Sequence, residues 1–143
     1  MILFDDSLDY KVAALCEPGA VSLHAINIAG IVPEDVVAIS GTGTIALLIG
    51  LIVKNMGSKV WIVGRSDESL KIAENLGLNI MKTNEIDKVL NDEFNGRGFS
   101  KVFEVVGSNS SINQAIKLAG NFGTVVMVGN PKEDVCLEKN IYN

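Results

Sequence analysis

Residues 36–46 read VVAISGTGTIA, and this stretch decides the fold. It begins as a short run of apolar, mostly β-branched residues, which is the pattern of a buried strand. It continues as Gly41-Thr42-Gly43-Thr44-Ile45-Ala46, a G-x-G-x-x-A pattern that follows the strand directly and opens a helix. The first glycine permits a tight turn, the second lets a pyrophosphate approach the backbone, and the alanine permits close packing of helix on strand. The pattern predicts a dinucleotide-binding turn, and the alternative is a tight turn that binds no ligand.

Short apolar runs and amphipathic stretches alternate along the rest of the chain. Apolar runs that alternate with helices indicate a parallel sheet with both faces covered. We therefore expect an α/β Rossmann-type fold, a doubly wound parallel sheet in three α-β-α layers that stops before a sixth strand. Gly57, Gly77, Gly96 and Gly120 follow four predicted helices and are expected to be their left-handed caps. The predicted strands are 36–40, 59–64, 79–82, 101–107 and 124–129, and the predicted helices are 17–29, 44–56, 66–76, 85–94 and 111–119.

The segment that ends the second predicted strand is Gly64-Arg65-Ser66, about 20 residues after the glycine turn. In a dinucleotide-binding fold, an acidic residue near this position binds the ribose hydroxyls. Gly64 cannot do so, whereas the Arg65 guanidinium can pair with a phosphate, and the hydroxyl and N–H of Ser66 can add to that contact. A hydrogen bond to a charged group contributes about 1.5–3 kcal/mol, or roughly ten- to a hundredfold in affinity. The segment predicts a preference for NADP over NAD, and the alternative is a solvated surface arginine.

The composition limits the other possibilities. The chain has 143 residues, the size of one domain, and its 12 basic and 17 acidic residues argue against a nucleic-acid-binding surface. Its longest apolar run, residues 45–53, is about half of the roughly 20 residues that a membrane span needs. Met1 is followed by an acidic segment, so no signal peptide is predicted. Cys16 and Cys136 form no CxxC pair, which favours a reducing, cytoplasmic setting.

Further motifs extend over nearly the whole chain. They are AALCEP at 13–18, VSLHA at 21–25, GTGTI at 41–45, GRG at 96–98, FEVVG at 103–107 and GTVVMVG at 123–129. In this order they resemble the zinc-dependent medium-chain alcohol and polyol dehydrogenases. The pair Glu17-Pro18 points to the branch of sorbitol and threonine dehydrogenases. Thr44-Ile45 and the tail KNIYN at 139–143 are most similar to the galactitol-1-phosphate type within that branch.

The resemblance implies that the chain is one part of a larger enzyme. Residues 1–143 would be the dinucleotide-binding domain, with 1–30 as hinge segment and leading helix, and the catalytic zinc domain would lie outside this chain. The complete enzyme would transfer hydride between NAD(P) and a polyol or sugar-alcohol phosphate, and this chain alone would be inactive. A homo-oligomer is expected, and the unpaired sheet edge should self-associate or be covered by a terminal segment. Two other classes stay open: a stand-alone NADP-binding or redox-sensing module, and a zinc-free quinone reductase, against which Glu17-Pro18 argues.

The resemblance also implies the site residues. Glu17 would lie at or beside the catalytic zinc, in the complete enzyme only. No catalytic residue and no preformed zinc site are expected in this chain, whose other candidate ligands are Cys16, His24 and Cys136. Ala46 and Gly64 depart from the glycine and the aspartate that are usual in the family, and the second departure puts NAD in doubt. The expected cofactor-binding residues are Gly41, Thr42, Gly43, Thr44 and Ile45 at the pyrophosphate, Gly64, Arg65 and Ser66 at the adenosine ribose, and Val106, Gly107, Val128, Gly129 and Asn130 along the adenine and nicotinamide.

Overall fold

Five strands and six α-helices make up the part of the chain that the computed structural model describes, which is residue 5 and residues 7–138. The strands are β1 Val36–Ser40, β2 Lys59–Gly64, β3 Asn79–Lys82, β4 Phe99–Glu104 and β5 Ala119–Met127. The helices are α1 Tyr10–Ala13, α2 Cys16–Ala29, α3 Thr44–Asn55, α4 Asp67–Asn75, α5 Ile86–Phe94 and α6 Asn109–Leu118, and a 3-10 turn, Thr83–Glu85, precedes α5. All neighbouring strands are parallel, and their order in the sheet is β3-β2-β1-β4-β5.

Helices cover both faces of this sheet, and each face has its own apolar core. On one face Ile39 and Ile62 pack with residues of α2, α3 and α4. On the other face Ala38 and Val63 pack with residues of α5 and α6. Successive strand residues point to opposite faces, so a strand covered on both sides must be apolar at every position. The predicted three-layer Rossmann-type fold is confirmed.

The predicted bounds differ most from the observed ones at β4 and β5. Strand β4 ends at Glu104, before the predicted end at residue 107, because the Glu104 side chain accepts hydrogen bonds from the N–H groups of Val106 and Gly107 and the chain turns. Strand β5 starts at Ala119 rather than residue 124, since Ala119 already pairs with Phe99. The ladder is then interrupted until Thr124 pairs with Lys101. Neither irregularity has a signal in the apolar pattern.

Of the four glycines predicted to cap helices, three have the left-handed conformation and one lies inside a strand. Gly57, Gly77 and Gly96 have φ of +100°, +73° and +72°, so the left-handed conformation is confirmed at all three. The prediction for Gly120 is wrong, because this residue lies inside β5 and is not among the residues with positive φ. A Cβ at Gly120 would overlap the carbonyl oxygen of Arg97. Glycine is therefore needed there for the close approach of two backbone segments.

The N-terminal helical segment has the length and hydropathy of a membrane span, although the longest uninterrupted apolar run, residues 45–53, is only about half that long. Tyr10–Ala29, which comprises α1 and α2, has the length and mean hydropathy, 1.3, of a membrane span, and 22% of its apolar window is buried. Core helices of soluble proteins and signal sequences share this length and composition, so the segment does not assign the chain to a membrane. On α2 the outward-facing apolar residues are Val21, Leu23 and Ile28.

The C-terminal described segment, residues 131–138, binds α6. Asn109 donates to the carbonyl of Asp134 at 3.0 Å and accepts from the N–H of Cys136 at 2.9 Å. Asn113 repeats the pattern, with the carbonyl of Cys136 at 2.9 Å and the N–H of Glu138 at 3.0 Å. Among residues 7–138 no strand pairs with the outer edge of β5. Self-association at that edge stays a prediction, and the predicted motif at 139–143 lies outside the described residues.

Replacing Lys101 with methionine should lower the free energy of unfolding by about 1.5–3 kcal/mol, because a charge-assisted hydrogen bond is lost. Its ammonium donates to the carbonyl of Ala29 at 2.8 Å and so joins the end of α2 to the sheet. Lys59→Met is the control, since Lys59 lies exposed on β2 and its side chain bonds to no described residue. Urea unfolding at equilibrium measures both. Equal midpoints for the two variants would contradict this role of Lys101.

Candidate functional site

A cleft of about 500 Å³ opens at the carboxyl ends of the strands, between β1 and β4. The strand order reverses at this point, because β2 and β3 lie on one side of β1 and β4 and β5 on the other. Open parallel sheets bind ligands at such a switch point. The cleft is lined, among others, by Ser40, Gly41, Thr42, Gly64, Arg65, Thr83, Val106, Ser108, Gln114 and Glu138.

The fold requires the first glycine of the turn but not the second. Gly41 has φ of +136°, and a Cβ there would lie 2.6 Å from Cγ2 of Val105, so the fold itself requires glycine. Gly43 has φ of −79° and ψ of −176°, which any residue adopts. A Cβ on Gly43 would have no heavy atom within 4 Å. Neither the backbone conformation nor the packing requires glycine at this position.

Gly43 is also the N-cap of α3, and no side chain caps this helix. The first turn of α3 therefore has free N–H groups, and the helix dipole places partial positive charge there. Ala46, in that turn, is completely buried, as the close approach of α3 to the sheet requires. This open, electropositive helix start beside the cleft suits the binding of an anion.

The segment predicted to bind the ribose, residues 64–66, lies at the end of β2. Gly64 is buried, and a Cβ there would overlap the methyl group of Thr42 and lie 3.2 Å from Cδ2 of Leu70. Arg65 is exposed and forms no ion pair with any described residue. Ser66 caps α4 by accepting from the N–H of Ser69 at 3.5 Å. An exposed arginine with no carboxylate partner among the described residues therefore directly follows Gly64, the residue that departs from the usual aspartate of the family.

One ion pair beside this segment was not anticipated from the sequence. The Nζ of Lys82, the last residue of β3, lies 2.6 Å from Oδ1 of Asp67, the first residue of α4. The hydrogen bond to Asp67, and then its charge, raise the pKa of Lys82. Lys82 therefore keeps its proton at neutral pH, and the pair is lost only as the pH rises through that raised pKa. The two residues are 15 positions apart, and only the register of β3 with β2 brings them together.

Glu104 holds together the loops that follow β4 and β5. Its side chain is completely buried and accepts from the N–H groups of Val106 and Gly107, both at 2.9 Å. Its backbone carbonyl accepts from the N–H groups of Val128 and Gly129 at 2.8 and 3.0 Å. The structure thus brings together four of the predicted residues. The sequence signal for this role is a single acidic residue inside the apolar stretch FEVV, which belongs to no periodic pattern.

The same two loops border a second cavity of about 520 Å³. Val106, Gly107 and Asn130 line it. A Cβ on Gly107, whose φ is +77°, would lie 2.7 Å from the carbonyl oxygen of Asn130. The loops therefore touch through backbone atoms, which leaves little freedom in the width of the cavity.

The candidate zinc ligands are not gathered at one place. Glu17 lies exposed in the first turn of α2, and Cys16, His24 and Cys136 are exposed as well. Among the described residues, no group of three or more His, Cys, Asp or Glu side chains could hold a metal ion. A zinc site needs at least three protein ligands, so these residues alone do not fit one. Glu17 as a partial ligand stays a prediction.

Comparison with known proteins decides the family. The sequence model of the family described as zinc-binding dehydrogenase matches residues 43–142, well over half of the chain. The chain belongs to this family. The matched region begins at the second glycine of the turn, and in zinc-binding dehydrogenases it is the cofactor-binding part.

The similar proteins are longer dehydrogenases. L-galactonate-5-dehydrogenase of Escherichia coli K12 is 34% identical over 131 residues, which are 90% of this chain and 38% of that protein. The crystal structure of Escherichia coli galactitol-1-phosphate dehydrogenase matches 99% of this chain and 42% of its own, with a TM-score of 0.81 and 25% identity. A Sinorhizobium meliloti 1021 structure bound to NADP, described as a zinc-binding dehydrogenase, matches 96% of this chain and 42% of its own, with a TM-score of 0.83 and 29% identity. The chain thus spans about two fifths of these relatives, and the predicted resemblance to the polyol branch is confirmed.

Replacing Glu104 with alanine should lower the free energy of unfolding by about 1.5–3 kcal/mol, because the N–H groups of Val106 and Gly107 lose a charge-assisted acceptor. Glu104→Gln keeps one acceptor oxygen and should lose less. Glu93→Ala is the control, since Glu93 lies exposed on α5. Chemical unfolding measures the three variants, and hydrogen exchange at Val106 and Gly107 reports the local opening. Unchanged protection of both amides in Glu104→Ala would contradict the role of this side chain.

Proposed function

We propose that this chain binds a nicotinamide dinucleotide across the carboxyl ends of β1, β2 and β4, as the cofactor domain of an alcohol or polyol dehydrogenase. The observation that carries the proposal is Gly43, a glycine that the fold does not require, at an uncapped helix start beside a cleft of about 500 Å³. A pyrophosphate needs open backbone at this place and N–H groups that point towards it. Residues 41–45 would hold the pyrophosphate in this arrangement.

The nicotinamide end would lie between the loops after β4 and β5. Val106, Gly107, Val128, Gly129 and Asn130 would line it, and Glu104 would fix the distance between the two loops from below. The bound cofactor supplies the hydride chemistry. The residues of this chain would orient the ring and exclude water from it.

The proposed substrate class and the proposed assembly are based on the similar proteins named above. Those named above act on L-galactonate and galactitol-1-phosphate, as their names state, so a polyol, sugar acid or sugar-alcohol phosphate is the proposed substrate class of the complete enzyme. Glu17 would contribute one zinc ligand there, and this chain alone would be inactive. On the same basis, we propose that residues 1–30 are the hinge segment and leading helix. We also propose that the complete enzyme is a homo-oligomer in the cytoplasm.

The preference for NADP over NAD is a finer proposal, and it rests on residues 64–66. Arg65 is exposed and has no ion-pair partner among the described residues, so its guanidinium is free to pair with a 2′-phosphate. A carboxylate at position 64 would favour NAD, and this chain has glycine there instead. The NADP bound to the Sinorhizobium meliloti relative agrees with this preference.

Gly43→Thr should weaken the binding of both NADPH and NADH at least about tenfold, because the side chain fills the space of the pyrophosphate. Threonine and glycine are similar as N-caps, so the free energy of unfolding should stay within about 0.5 kcal/mol. Gly41→Thr is the contrast, and it should destabilise the fold through its positive φ and its contact with Val105. Isothermal titration calorimetry and urea unfolding measure the two effects. Unchanged binding by a folded Gly43→Thr variant would refute the pyrophosphate site.

Arg65→Ala should weaken NADPH binding roughly ten- to a hundredfold and leave NADH binding unchanged, because only NADPH carries the 2′-phosphate. Arg97→Ala is the matched control, since Arg97 is exposed and follows α5, outside the cleft. Calorimetric titrations with the two cofactors in the same salt measure the ratio. Equal affinity of the unmodified chain for NADPH and NADH would overturn the NADP preference but not the dinucleotide site.

A further inference from the structure

The Lys82–Asp67 ion pair lies directly beside residues 64–66, the segment predicted to bind the ribose. Lys82 is the register partner of Gly64 across β3 and β2, and Asp67 follows Gly64-Arg65-Ser66 as the first residue of α4. The pair is partly open to solvent, with the side chain of Lys82 40% exposed and that of Asp67 78% exposed. Neither residue lines the cleft, so both would act on a 2′-phosphate at residues 64–66 from beside that segment.

The charges at this place conflict with the binding of a phosphate. Asp67 and Glu68 occupy the first turn of α4, where acidic side chains stabilise the helix through its dipole. Glu85, in the turn after β3, adds a third carboxyl group near Lys82. These three groups would repel a 2′-phosphate at residues 64–66, and Arg65 and Lys82 are the cations that oppose them. Of the two cations, only Lys82 is paired with a carboxylate.

We propose that the Lys82–Asp67 ion pair sets the cofactor selectivity of the ribose site. Lys82 neutralises Asp67, the carboxylate nearest to Arg65 in sequence, and this leaves the Arg65 guanidinium as the uncompensated charge that attracts the 2′-phosphate. Asp67 in turn holds Lys82 away from the phosphate and limits the strength of NADP binding. This inference rests on the proposed NADP site and adds a selectivity residue that lies on the edge strand.

Replacing Lys82 and replacing Asp67 must then change the affinity for NADPH in opposite directions. Lys82→Met leaves Asp67 unpaired beside the phosphate and should weaken NADPH binding about two- to fivefold, the range of an exposed charge pair. Asp67→Asn releases Lys82 towards the phosphate and should strengthen NADPH binding by a similar factor. The double variant Lys82→Met/Asp67→Asn should return close to the unmodified affinity. NADH binding should change less than about twofold in all three, since NADH lacks the 2′-phosphate.

Lys71→Met is the matched control. Lys71 pairs with Glu74 at 2.5 Å further along the same helix, so this variant removes a comparable ion pair that does not adjoin residues 64–66. It should leave the NADPH to NADH affinity ratio unchanged. Urea unfolding of every variant verifies that differences in affinity do not come from loss of the fold.

The experiment is calorimetric titration of each variant with NADPH and with NADH at one salt concentration. Opposite shifts of the NADPH affinity in Lys82→Met and Asp67→Asn support the inference. The inference is overturned if the NADPH affinity changes in the same direction in both variants, if it does not change, or if the NADH affinity changes equally. When Arg65→Ala still removes the NADPH preference in those cases, the proposed NADP site stands and only the role of the ion pair is refuted. When the unmodified chain shows no NADPH preference, the NADP site fails, and the inference fails with it.

Discussion

Strand β1 pairs with β2 along one edge and with β4 along the other, and helices cover both of its faces. Val37, Ala38 and Ile39 are completely buried, so the polar backbone groups between them must find partners in the sheet. The register places Ile39 opposite both Ile62 and Phe103. The ends of the three strands therefore lie at one level, and the loops that follow them border a common cleft.

The glycines around this cleft show which constraints belong to the fold and which to a ligand. Gly41 and Gly107 have positive φ, and a Cβ at Gly107 would also meet the backbone of Asn130, so the fold requires glycine at both positions even if nothing is bound. A Cβ at Gly64 would meet only side chains, those of Thr42 and Leu70. Gly43 has an ordinary conformation and open space around it. At the uncapped start of α3, such a glycine leaves the backbone open for the pyrophosphate of the proposed cofactor.

The polar groups at the cleft act in two ways that follow from their burial. Glu104 is completely buried, so its hydrogen bonds to two backbone N–H groups are costly to break, and it fixes geometry. Arg65, Asp67 and Lys82 are open to solvent, where a charge pair contributes little to stability. Exposed charges can still discriminate between two cofactors that differ by one phosphate. We therefore propose that rigidity comes from the centre of the sheet and selectivity from its edge.

The sequence by itself determined the fold class, the five strands and the glycine turn, because apolar periodicity and turn chemistry are local properties. It also predicted that residues 41–45 and 64–66 lie at one edge of the sheet, since the carboxyl ends of parallel strands meet there, and four of these residues, Gly41, Thr42, Gly64 and Arg65, line the cleft. It could not show that Gly120 lies inside β5, that Glu104 joins two loops, or that Lys82 reaches Asp67. Each of these depends on a contact between residues that the chain brings together only through strand register or a close backbone approach. Such contacts have no periodic signal, so the tertiary structure alone decided them.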